Sequence, residues 1–191
     1  MKAELLILGV LHRGNFHPYE IKRRLKNAMV ECYTNVDVGT LYYAIRQLEK
    51  NGLITAVQRQ SVNRGGVRTV YRILTLGKRR FQFLLNELFA AEGTVADTLY
   101  GPMLFLHLAN RRLIAGLLHT RISREAARIR EIAEIRKQLG PVLSTGGLHL
   151  LKHLALQHRL DRKWLQGVLG DLEKGRVRDM ANPKRLSREG R

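Results

Sequence analysis

The chain has 191 residues, 45% of them hydrophobic, and carries 34 Lys/Arg against 16 Asp/Glu for a formal net charge of +18. That apolar content excludes a mostly disordered chain and suffices for one moderate core or two small ones, while no run approaches the ~18 apolar residues of a membrane span. The charge points to a polyanion partner, nucleic acid first and an anionic surface second.

The segment from Ala3 to Leu11 is apolar and reads as a core helix closing near Gly14, too short and too directly joined to His12-Arg13 for a signal peptide. A second helix is expected over Pro18–Ala28, with proline acceptable in its first turn and Ile21, Leu25 and Ala28 on one side. A third is expected from Val38 to Lys50, capped by Asp37 and stopped at Asn51-Gly52. Its Leu41, Ala44, Ile45 and Leu48 follow an i, i+3, i+4, i+7 stripe, leaving Thr40, Tyr43, Arg46, Gln47 and Lys50 opposite and Tyr42 at the margin. The period then changes. Leu53–Ser61 and Val67–Leu74 are rich in Val, Ile, Thr and Tyr and flank Asn63-Arg64-Gly65-Gly66, so they form a hairpin.

Downstream the pattern is helical: 76–91, then a break at Glu92-Gly93-Thr94, a stretch from Pro102 to Leu118, another from Ser123 to Leu139, and a last helix over about Gly147–Glu173. The final residues add seven basic side chains from Lys174 onward against Asp179 and Glu189, and read as a disordered tail. The expected division is a three-helix and hairpin region with its connecting helix over 1–92, a helical region over 93–175 and a basic tail over 176–191.

Three helices followed by a hairpin is the order of a winged helix, in which the third helix enters the major groove and the hairpin lies along the backbone. Four stretches together resemble the PadR-like transcription regulators. They are Leu5–Leu11, His17-Pro18-Tyr19-Glu20-Ile21, Gly39-Thr40-Leu41-Tyr42 running on to Ile54, and Gly65–Arg68 with Tyr71–Gly77. The resemblance covers about the first 80 residues. The helical second half is similar only in size, helicity and the His158-to-Trp164-Leu165 region to the long-tailed subfamily, whose helical C-terminal domain dimerises. Two departures stand out: Pro18 where that family usually has Gly, and Tyr43 where it usually has Pro.

The resulting expectation is a mainly α protein with a small β-hairpin: a winged helix-turn-helix domain followed by an α-helical dimerisation domain. It would bind double-stranded DNA as a homodimeric cytoplasmic repressor of a pseudo-palindromic operator, released by a small-molecule effector. The alternative is a sequence-indifferent nucleic-acid-binding or chromosome-organising protein acting through charge alone. The DNA-facing candidates are Thr40, Tyr42, Tyr43, Arg46, Gln47 and Lys50 on the third helix. Lys22 and Arg23 are positioning contacts on the second, and Arg64, Gly65, Gly66 and Arg68 stand at the hairpin tip.

Each candidate has a plainer reading. The third helix could be an ordinary solvated amphipathic helix, and the hairpin an ordinary turn with incidental arginines. Trp164 either packs in the core or lines an effector pocket at a dimer seam. His149 and His153 stand one turn apart, but His158 falls on nearly the opposite face and no cysteine completes a set, so no metal is expected. The single cysteine, Cys32, excludes an internal disulfide and fits a reducing compartment. No nucleophile–base grouping, phosphate-cradling glycine loop or carboxylate pair occurs, which argues against an enzyme and against a cofactor. No membrane association is expected.

Overall fold

Leu5, Leu6, Ile7, Leu8, Val10 and Leu11 are all buried on α1 (Lys2–Leu11), so this helix is enclosed almost all round and forms the centre of the N-terminal core. The computed structural model describes residues 2–28, 38–62 and 66–178. They fall into two compact units, Met1–Ala109 and Asn110–Arg191.

In the first unit, α2 (Pro18–Asn27) begins with proline at its first position, and the His17 side chain accepts the Tyr19 amide at 3.1 Å as its cap. Ile21 and Leu25 bury its inner side. α3 (Val38–Lys50) buries Leu41, Ile45 and Leu48. It ends where Gly52 takes a φ of +66°, which lets the Leu53 amide return to the Leu48 carbonyl at 2.9 Å. Asp37, the expected cap of α3, lies outside the described residues.

The hairpin pairs β1 (Ile54–Val62) with β2 (Gly66–Ile73) antiparallel, from Ile54 opposite Ile73 to Val62 opposite Gly66, with a bulge between Ala56 and Gln58. Phe16 adds one further bridge, exchanging backbone hydrogen bonds with Tyr71 at 3.1 and 3.0 Å. This bridge fixes the base of the hairpin to the turn between α1 and α2. α4 (Thr75–Ala90) follows and buries Phe81, Leu84, Leu85, Leu88 and Phe89. Arg80 clamps it to α1 by donating to both carboxylate oxygens of Glu4, at 2.9 and 3.3 Å.

The boundary between units differs from the expected one after residue 92. α5 (Val95–Thr98) and α6 (Tyr100–Met103) are single turns, and Val95, Leu99 and Phe105 are buried in the first unit. Phe105 stands edge-on to Phe81, with centroids 5.6 Å apart. Residues 93–109 therefore complete the N-terminal core. The helix expected from Pro102 to Leu118 is accordingly split: a short 3₁₀ turn spans Leu106–Leu108, and the long helix starts only after Asn110.

The second unit is a helical hairpin. α7 (Arg111–Leu139) is capped by Asn110, whose side chain accepts the Leu113 amide at 3.1 Å, and it runs unbroken through the expected interruption near residues 119–122. α8 (Thr145–Glu173) is capped by Ser144, two residues ahead of the expected start. Ile114, Leu118, Ile132, Leu165, Leu169 and Leu172 form its core. Arg111 ties the hairpin's open end by donating to the Leu172 and Glu173 carbonyls at 2.6 and 2.5 Å. Of the expected tail, 176–178 are described, and residues from 179 onward lie outside the described set.

Candidate nucleic-acid interface

α2 and α3 are the helix pair of the winged helix, and burial divides α3 as its sequence period requires. Leu41, Ile45 and Leu48 face the core, while Thr40, Tyr42, Arg46 and Lys50 are exposed, as is Tyr43 with 66% of its surface open. Gln47 is half-buried, so it sits at the edge of this outward face. Two cations, two phenols and a hydroxyl are thus displayed along one rigid helix. Such groups suit phosphate oxygens and base edges.

One side-chain support of α3 comes from an element far away in sequence, and a second contact steadies α2 beside it. Tyr71 on β2 donates its hydroxyl to Glu49 Oε2 at 3.2 Å, joining the hairpin to α3. Arg24 of α2 lies with its guanidinium 4.0 Å from the Phe16 ring centroid and donates to Glu20 at 3.3 Å. Neither connection was visible in the sequence pattern, although Tyr71 lay inside one of the motif stretches.

Lys22 is half-buried. Arg23 is exposed, with its guanidinium 3.2 Å from Glu20 Oε1. Both stand on α2 as expected. At the wing, Gly66 opens β2 opposite Val62, and Arg68 occupies the position opposite Gln60. Arg64 and Gly65 lie outside the described residues. Arg72, opposite Thr55 near the hairpin base, presents a further exposed cation.

Residues 7–82 match the Transcriptional regulator PadR-like family, a segment running from α1 through the hairpin into α4. It is therefore the winged-helix segment, and not the second unit, that is similar to this family. Among solved structures, it is similar to Bacillus subtilis PadR in complex with operator DNA, at 18% identity and a TM-score of 0.43, covering 88% of this chain and 98% of that one. It is also similar to smu.1604c from Streptococcus mutans UA159, at 23% identity and a TM-score of 0.42, covering 89% and 99%. A third similar structure is Bacillus subtilis PadR in complex with p-coumaric acid, at 15% identity and a TM-score of 0.38, covering 91% and 99%. No curated protein matches the chain.

The other candidates lie beyond the PadR-like segment. Trp164 is half-buried on α8 and does not line the cleft that opens between α7 and α8. His149 and His153 are exposed on α8, whereas His158 Nδ1 lies 2.6 Å from Glu125 Oε2 of α7. Beside that pair, Arg121 is buried with only 4% of its surface open, and burial holds its pKa below the ordinary value. Burial first, then the Glu125 charge, pushes the Asp161 carboxyl up. Among the described residues no cluster of three His, Cys, Asp or Glu could hold a metal. Nor is any described helix long and apolar enough to cross a membrane.

Proposed function

We propose that this PadR-like protein represses transcription as a homodimer, reading a pseudo-palindromic operator with α3 in the major groove and the β1–β2 hairpin along the backbone. The observation that carries this reading is α3 itself. A helix fixed on three buried residues turns Thr40, Tyr42, Tyr43, Arg46 and Lys50 outward within a PadR-like segment. Arg46 is the candidate for bidentate contact with guanine, and the Thr and Tyr hydroxyls suit phosphates. Lys22, Arg23, Arg64, Gly65, Gly66 and Arg68 serve as backbone contacts.

Dimerisation is assigned to the second unit. Its helices expose Leu150 and Leu160, at 59% and 68%, and Val142 at 80%, in a way a lone helical hairpin does not require. An isologous pair would hold two α3 helices at a spacing set by this unit. A small effector that favours another spacing would release the operator.

Selection from a random duplex library by the full chain tests the reading. An enriched two-fold motif with half-sites about one helical turn or a small multiple apart is expected. Arg46→Ala should then weaken binding by about 1–3 kcal/mol and relax preference at one position of each half-site. Affinity for all duplexes alike, with no motif, would favour the sequence-indifferent reading.

A further inference from the structure

α7 and α8 do not close on each other along their whole length. Between 129–137 of α7 and 151–159 of α8 a cleft of about 500 Å³ remains, in the range of small-molecule sites. Its floor is apolar, formed by Ile129, Ile132 and Leu151. It stays open because two of the positions that face it are alanines, Ala133 and Ala155, where longer side chains would fill the space.

The rim has one sign of charge. Arg136 and Lys137 from α7 face Lys152 and Arg159 from α8, all four exposed, and no residue lining the cleft is acidic. Nearby carboxylates of α7 are engaged along their own helix: Glu131 with Arg128 at 2.8 Å, and Glu134 with Gln138 at 2.7 Å. The four rim cations make no ion pair among the described residues. Four like charges around an apolar floor repel one another until an anion enters, and an anion with an apolar body also covers the floor.

From this geometry we infer that the α7–α8 cleft binds a linear amphiphilic monocarboxylate, with its chain along Ile129, Ile132 and Leu151 and its head among Arg136, Lys137, Lys152 and Arg159. The shape favours an extended body. Eight residues of helix make the cleft roughly 12 Å long, bounded by two nearly continuous helical walls. The self-association proposed above falls to Leu150, Leu160 and Val142, none of which lines the cleft. The site gives the proposed effector a place and a chemistry, and rests on that reading only for its effect on the operator.

Calorimetry on the full chain without DNA tests it, with dodecanoate below its micelle concentration as the probe. One dodecanoate per chain is expected. Decanoate should bind about tenfold more weakly for two fewer buried methylenes. Dodecyltrimethylammonium, with the same tail and opposite head, should bind at least about tenfold more weakly than dodecanoate. Ala155→Leu should abolish dodecanoate binding, and Ala133→Leu serves if the first variant fails to fold. The double variant Lys152→Gln, Arg159→Gln should weaken it about tenfold while keeping the melting temperature.

Equal binding of both head charges, or binding untouched by these substitutions, overturns the proposal. So does loss of self-association in Ala155→Leu by sedimentation, which would make the cleft a seat for a second copy. Binding to phosphatidylglycerol vesicles without binding of free dodecanoate overturns it as well, in favour of a membrane surface. None of these results bears on operator selection, so failure here and failure of the repressor reading are separable.

Discussion

Tyr71 on β2 donates its hydroxyl to Glu49 on α3 across 3.2 Å, so the wing and the outward-facing helix are held to each other by a side-chain bond as well as by the core. The same tyrosine exchanges two backbone hydrogen bonds with Phe16, on whose ring Arg24 of α2 is stacked. One buried residue thus ties the hairpin both to α3 and to the turn before α2. Tyr71→Phe keeps the ring and the backbone bridge and removes only the hydroxyl. Chemical unfolding should show a loss of about 1 kcal/mol, since Glu49 is exposed and water replaces part of the bond. An unchanged midpoint would mean that the bond contributes nothing in solution.

Gly77 sits in the first turn of α4, where helix propensity alone predicts that alanine is better by about 1 kcal/mol. The structure predicts the opposite sign. A Cβ at this position would lie 2.1 Å from the Leu53 carbonyl oxygen and 2.9 Å from Ile73 Cγ1, and a backbone oxygen cannot turn aside as a side chain would. Leu53 is also pinned by the Leu74 amide at 3.0 Å. Gly77→Ala should therefore destabilise the first unit by about 2–3 kcal/mol in thermal melts. Stabilisation would show that α4 can move away from the α3–β1 junction at little cost.

Legibility in the sequence followed periodicity. The Leu41, Ile45, Leu48 stripe announced both the buried and the outward face of α3, and the β-branched runs around Gly65-Gly66 announced the hairpin. Where burial comes from isolated residues, the pattern failed. Val95, Leu99 and Phe105 lie on short turns with no common period, so the N-terminal unit looked shorter than it is. The expected break near residues 119–122 is absent from α7; Gly116 has open space around it, and Thr120 donates its hydroxyl back to the Gly116 carbonyl at 3.2 Å. The Tyr71–Glu49 bond spans two elements, and the α7–α8 cleft depends on alanines, which carry no strong signal of either face.

Two histidines of the first unit make its stability depend on pH. Burial lowers the pKa of His12 below 6.5, with Lys78 adding to the effect against a raising hydrogen bond to Leu8. Burial also lowers that of His107, helped by the charges of Arg13 and His12. Both rings are neutral in the folded chain at pH values where the unfolded chain holds them charged. Folding is then opposed as pH falls through 6.5, and the opposition is absent well above it. Asp161, whose carboxyl is pushed up, acts with the opposite sign in the second unit. Melting of the first unit should thus fall between about pH 7.5 and about pH 5.5, and the double variant His12→Gln, His107→Gln should flatten that fall. A parallel fall in both proteins would assign the acid sensitivity elsewhere.

Tyr43 is the more exposed of the two tyrosines on α3, at 66% against 39% for Tyr42, and it stands where the PadR-like regulators usually have proline. A proline there would remove an amide and leave no group able to reach a neighbouring surface. The tyrosine supplies a flat ring and a hydroxyl on the outward face, so it can pack on a thymine methyl or donate to a phosphate. The two contacts separate by substitution. Tyr43→Phe should keep base preference while lowering affinity for every duplex by about 1 kcal/mol if the hydroxyl meets a phosphate. Tyr43→Ala should further broaden the selected motif at one base pair per half-site if the ring meets a base. Repeating the duplex selection with both variants reads the outcomes side by side, and motifs and affinities identical to those of the original chain would remove Tyr43 from the interface.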